Sequence, residues 1–122
     1  MKKISPHVNI YKFPITAISS ISNRVTGLAL TGFYIGTGCS LLLSKEKYLY
    51  SSYNSLDWKF KKIINYGIIF PFTFHTFGGI RHLLWDNYPK LLNNKSVATS
   101  SVILFGVSTL STIFIERYGT SS

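Results

Sequence analysis

Three stretches of this 122-residue chain lack any Asp, Glu, Lys or Arg: Val25 to Leu43, Ile63 to Ile80 and Val97 to Ile115, of 19, 18 and 19 residues. At about 1.5 Å per residue, a helix of that length crosses most of a hydrocarbon layer roughly 30 Å thick. A strand reading would need a closed barrel, which three segments cannot make, because lipid offers no partner to an open edge. The windows therefore predict an all-α integral membrane protein with three transmembrane helices, over approximately 20–43, 60–86 and 96–116. Composition agrees, with 46% apolar and 14% charged residues, oily for so small a soluble domain. No internal repeat, low-complexity segment or second domain interrupts 1–122, which reads as a single membrane domain.

The charges collect between the spans. Lys2, Lys3, Lys12 and Arg24 precede the first, five cations fill the first connection, three lie in the second, and Arg117 follows the third. Seven cations on one face against six on the other are too evenly divided for the positive-inside rule to orient the chain. A net charge of +9 raises nucleic acid as a partner. The cations flank membrane spans, however, and no recognition helix or basic stripe with interleaved aromatics is present. Anionic lipid headgroups and acidic partner surfaces are the expected counterparts.

Pro14 ahead of the first span and Pro89 with "NNKS" ahead of the third mark boundaries, and Pro71 is expected to bend the second. The first connection, "SKEKYLYSSYNSLDWKFKK", has the Tyr, Trp and Lys that anchor at headgroup level, and reads as an interfacial loop or short surface helix. Cys39 has no partner for a disulfide, Gly32 and Gly36 form a small-xxx-small pair suited to a helix contact, and Asn94-Lys95-Ser96 fits a sequon of the kind common by chance. The "MKK" start lacks a following apolar run, so no cleaved presequence is expected.

The end of the second span carries the chemistry. In "FHTFGGIRHLLWD", seven residues separate His75 from His82, nearly two turns, so both share a face with Gly78 and Gly79 between them and Asp86 a turn beyond. The glycines remove bulk where something flat, or another helix, could approach. Two readings of His75 stand: a hydrogen bond to a neighbouring helix, or a functional group at membrane depth. The two histidines are about 10 Å apart along the axis, whereas trans ligands of one iron are roughly 4 Å apart. They cannot bracket one haem, and His7 lies in the polar tail. If His75 binds haem, its trans ligand belongs to another protein. Arg81 and His82, at the membrane edge, are then placed to neutralise propionates. Antiparallel first and second spans bring Ser20, Arg24, His82 and Asp86 to the same side, although Arg24 alone also reads as a snorkelling cation.

These residues carry a resemblance. "SPHVNIYKFPITAISSISNRVTG" and "HTFGGIRHLLWD" resemble the two signatures, S-P-H with S-x-x-H-R-x-[ST]-G and H-x-x-x-G-x-R-H-x-x-x-D, of the larger cytochrome b membrane-anchor subunits of succinate dehydrogenase, respiratory complex II. The resemblance covers nearly the whole chain. It implies half of a heterodimeric haem-binding helix bundle, made with a small membrane-anchor subunit, docked beneath an iron–sulfur subunit and a flavoprotein subunit. It implies haem b shared between the two anchors, ubiquinone as substrate, and passage of electrons from succinate to ubiquinone, with no catalysis by this chain alone. By position His75 matches the axial iron ligand, Ser20, Arg24 and Asp86 match quinone-site residues, and His82, Arg81 and Arg24 match groups near the haem. The sequence departs at Asn23, where the family commonly has histidine. The resemblance further implies a mitochondrial inner membrane location, with a bacterial membrane as the other setting, and an amino terminus facing the matrix. A fumarate reductase anchor, wired in reverse, and a cofactor-free structural subunit remain the alternatives. No nucleophile and base pair and no Gly-rich phosphate loop supports a stand-alone enzyme.

Overall fold

The computed structural model describes residues 13–119, all helix and short connections. Helix α1 spans Ile15–Leu42, α2 Glu46–Asn54, α3 Trp58–Asn87 and α4 Asn94–Gly119, with a 3-10 turn at Pro89–Leu91. Pro14 sits in extended conformation at the α1 N-cap, where its missing N–H costs nothing. The connection with Tyr, Trp and Lys holds the short surface helix α2. Asp57 caps α3 by accepting from the Trp58 N–H at 2.9 Å, and Tyr53 donates to Asn65 Oδ1 at 2.8 Å, tying α2 to α3. Lys59 and Lys62 stand over the Trp58 ring and Lys61 over Tyr53, a cationic and aromatic belt at the foot of α3. Helix α3 runs through Pro71 without ending.

Ser44 closes α1 with φ 53°, a left-handed residue whose neighbour Lys45 donates back to the Ser40 carbonyl at 2.8 Å. Serine there costs about 1–2 kcal/mol of backbone strain that glycine escapes. Ser44→Gly is therefore expected to raise the thermal midpoint of the membrane-extracted protein. An unchanged or lowered midpoint would show that the turn is not strained.

α1, α3 and α4 pack mutually, and the packing is inverted relative to a soluble bundle. Among the described residues Ser19, Thr26, Thr73, Arg81, Ser101, Ser108, Thr112 and Glu116 are buried, against just two large apolar side chains, Phe74 and Leu104. Leu28 is 76% exposed, Leu42 87% and Leu110 69%. Water would not tolerate such an apolar exterior, and lipid favours it. The seams are built by hydroxyls and close packing, as expected where lipid removes the hydrophobic drive for helix association. Thr73 and Thr112 share a 2.9 Å hydrogen bond between α3 and α4, beside the Phe74 and Phe105 rings at 4.9 Å. Lower down, Tyr66 donates to buried Glu116 at 3.4 Å.

Among the described residues α1 and α4 are long and apolar enough to cross a membrane. α3, at 30 residues, is long enough, but Asn65, Thr73, His75, Thr76, Arg81 and His82 dilute its apolar character.

Candidate functional site: a histidine groove between α1 and α3

The register of α1 against α3 is readable from three contacts. Ser19 meets Arg81, Asn23 meets Gly78, and Gly27 meets His75, so the helices are antiparallel and steps of four on one match steps of three or so on the other. Each contact depends on a small residue. A Cβ at Gly27 would stand 2.7 Å from His75 Cε1 and 3.2 Å from Nδ1, so any side chain there displaces the ring. A Cβ at Gly78 would collide with the Asn23 amide, whose buried Oδ1 has no hydrogen-bond partner. Gly79, one residue on, faces open space. The two glycines thus differ: Gly78 seats α1, and Gly79 leaves a surface clear.

His75 is exposed, but its ring is oriented. Nδ1 lies 3.0 Å from the Asn23 carbonyl, which also accepts from Thr26 Oγ1 at 3.0 Å. A carbonyl only accepts, so Nδ1 carries a proton, and in the neutral imidazole Nε2 then presents a lone pair. Such a hydrogen bond from the far ring nitrogen to a carbonyl is how proteins fix the tautomer and direction of a metal-binding imidazole.

Arg81 behaves differently from its neighbour His82. It lies six residues from His75, about 120° round the helix. The residue is 8% exposed, and its guanidinium donates from one terminal nitrogen to Ser101 Oγ at 3.0 Å and from the other to Ser19 Oγ at 3.4 Å. Ser19 and Ser101 are themselves 3.0 Å apart, and the Arg81 plane rests 4.5 Å from the Trp85 ring centre. One arginine therefore joins α1, α3 and α4 at the same level. His82 is exposed and meets Trp85 edge-on at 5.4 Å.

Ser20, Arg24, His82 and Asp86 lie on the open side. Ser20 precedes Gly27 by seven residues and Arg24 precedes it by three, so both lie near the edge of α1 that meets His75. By register Ser20 is level with Ile80, His82 lies about 3 Å further toward the end of α3, and Asp86 lies about a turn beyond His82. Among the described residues no hydrogen bond or ion pair joins Arg24, His82 and Asp86 to one another. Thr26, Thr31, Thr37 and Ser40 spend their hydroxyls on the preceding turn of α1. The half-buried Ser20 hydroxyl bonds nothing among the described residues. His7, together with Ser5 and Pro6 of the first signature, lies outside the described residues. The Ser19–Arg81–Ser101 junction has no forewarning in the sequence, since it pairs residues 62 and 20 positions apart.

An apolar exterior, a hydroxyl-rich interior and an oriented histidine at an open helix seam define a helical membrane protein with a polar site at one end. More particularly, residues 1–115 match the family described as succinate dehydrogenase/fumarate reductase transmembrane subunit, and the chain belongs to that family. It is 34% identical to the mitochondrial succinate dehydrogenase cytochrome b560 subunit of Dictyostelium discoideum, over 90% of this chain and 59% of that protein. It is 34% identical to the cytochrome b560 subunit of Reclinomonas americana, over 92% of this chain and 82% of that one. Similarity extends to the mitochondrial inner membrane protein SHH3 of Saccharomyces cerevisiae, at 30% identity over 95% of this chain and 63% of that protein. The chain thus spans about three fifths of the length of the Dictyostelium relative.

Proposed function

We propose that this chain is the larger membrane-anchor subunit of a succinate dehydrogenase in the mitochondrial inner membrane, a single domain with α1, α3 and α4 as three spans. The reading is carried by one observation, the Nδ1–H of His75 held on the Asn23 carbonyl at 3.0 Å. With Nδ1 committed to that carbonyl, the neutral ring has Nε2 as its lone-pair donor, which fits the donor set of a haem iron. His75 would hold the haem iron, and a small anchor subunit would supply the other protein ligand. When bound, haem b supplies a one-electron store beside the quinone path. His82 and Arg24 offer cationic or hydrogen-bonding groups to its propionates. Arg81, committed to Ser19 and Ser101, acts as a positioning residue that fixes α1 against α3.

The quinone half of the reading uses Ser20, Arg24 and Asp86. The Ser20 hydroxyl, without a hydrogen-bond partner among the described residues, donates to a quinone carbonyl, and the exposed Arg24 guanidinium stabilises negative charge as the ring is reduced. Asp86, exposed about a turn beyond His82, is placed to pass protons from the aqueous edge. Electrons arrive from succinate through flavoprotein and iron–sulfur subunits docked at this end. The amino terminus and the α3–α4 connection accordingly face the matrix. Gly32 and Gly36, with nothing within 4 Å of a built Cβ, leave α1 open to a partner helix.

The experiment is a reduced-minus-oxidised absorption spectrum of the assembled complex. His75→Ala is expected to abolish the b-type bands, and Gly27→Ala to perturb them by displacing the ring. A spectrum untouched by His75→Ala, or lost with His82→Ala alone, would remove the assignment.

A further inference from the structure

The seam of α3 and α4 away from the histidine groove holds cavities that run end to end. The first, about 410 Å³, lies at the start of α4 and is lined by Lys95, Ser96, Thr99, Ser100 and Ile103 together with Asn93. It shares Ser100 and Ile103 with a second of about 250 Å³, whose α3 wall is Leu84, Arg81, Ile80 and Phe77 from top to bottom, with Val107 at its lower end on α4. The second shares Phe77 with a wider, apolar cavity of about 610 Å³ between Phe72 and Phe114.

The groove is graded. Its upper end presents Lys95, Asn93 and three hydroxyl residues beside Ile103, whereas in the second cavity Ser100 and Arg81 stand among six apolar side chains, and no carboxylate lines either of these two; the widest cavity sets Thr73, Thr76 and Ser111 among aromatic and aliphatic walls. Arg81, more than nine-tenths buried and with its Nε unpartnered among the described residues, lines the second cavity and adds a second cation to the groove wall. From Lys95 to Val107 is twelve residues, about 18 Å along α4, close to the depth of one leaflet of a bilayer whose core is roughly 30 Å thick. At the start of α4 the Ser96 N–H is already committed, donating to Asn93 Oδ1 at 2.8 Å.

We propose that this groove binds one anionic glycerophospholipid of the leaflet on the α3–α4 connection side. Its phosphate lies at Lys95, Ser96 and Thr99, and one acyl chain lies over Ile103, Ile80 and Leu84 toward Phe77 and Val107. A partner helix would call for an apolar wall along the whole length, whereas a headgroup followed by a chain calls for the gradient observed. The site rests on the membrane-spanning reading above and on none of its haem or quinone residues except Arg81.

The test uses the intact complex extracted in mild detergent, stripped of lipid and returned to defined amounts of phosphatidylglycerol or phosphatidylcholine, with retained lipid counted by native mass spectrometry. One phosphatidylglycerol is expected to be held about fivefold more tightly than phosphatidylcholine, as one nearby cation would give. Lys95→Glu should erase that preference, and Ile103→Trp, which fills the groove, should cost retention of both lipids at unchanged subunit content. Equal affinity for the two lipids in the unaltered complex would overturn the proposal. So would retention unaffected by both variants, displacement of the lipid by a long-tailed quinone, or a photo-crosslinker at Ile103 capturing a protein subunit. Release of the chain from membranes by alkaline carbonate would instead sink the membrane-spanning reading itself.

Discussion

Arg81→Leu is expected to loosen the bundle by about 1–3 kcal/mol, since it removes two interhelical hydrogen bonds, each worth about 0.6–1.7 kcal/mol within a membrane. The Ser19–Ser101 bond survives the change, so no hydroxyl is orphaned and the loss falls on the three-way junction. Arg81→Lys should recover little, because an ammonium cannot reach both serines with the spread of a guanidinium. Thermal unfolding of the assembled complex, followed by helix content, reads the effect directly. Ser101→Ala combined with Arg81→Leu should cost less than the sum of the two, since both break one junction. If Arg81 instead touches haem or quinone, its replacement will shift the absorption bands or the quinone KM while the thermal midpoint stays put.

That junction also marks the limit of what the chain could disclose before it folded. The spacing of His75, His82 and Asp86 follows from helical period alone, and the open stripe is where the spacing puts it. The separation of function between Ser19 and Ser20 does not follow. The two are adjacent in sequence and about 100° apart on α1. Which one turns inward depends on how α1 crosses α3, a register set by Asn23 entering the Gly78 notch and by the His75 ring resting on Gly27. The same register makes Arg81 an interior brace and leaves His82 outside, though both read from the sequence as edge cations. The departure at Asn23 from the family histidine acquires a physical meaning here, because the contribution to His75 comes from its backbone carbonyl, which any residue would supply. Glu116 stands in the sequence as a lone acid after an apolar run, and its burial beside Tyr66 depends on the approach of α3, which no local pattern encodes.

Ser20→Ala and Arg24→Leu are expected to slow ubiquinone reduction by about a hundredfold, the usual consequence of losing one donor worth about 2.7–4 kcal/mol at a developing negative charge. Two features of α1 motivate the expectation. Ser20 is half-buried with its hydroxyl unspent, in contrast to Ser19, which is held by Ser101 and the Thr16 carbonyl. Arg24, one turn on, is exposed on the same edge as Gly27, and among the described residues no hydrogen bond or ion pair holds it away from the groove. In the proposed function electron supply lies upstream of both residues, so succinate should still reduce an artificial acceptor at the normal rate in either variant. The split between the two assays, measured with subunit content, separates quinone binding from assembly. Equal loss of both activities in a fully assembled complex would make Ser20 and Arg24 docking residues for the soluble subunits. Normal ubiquinone kinetics in both variants would place the quinone elsewhere and leave the Ser20 hydroxyl as an unused donor at the edge of the His75 groove.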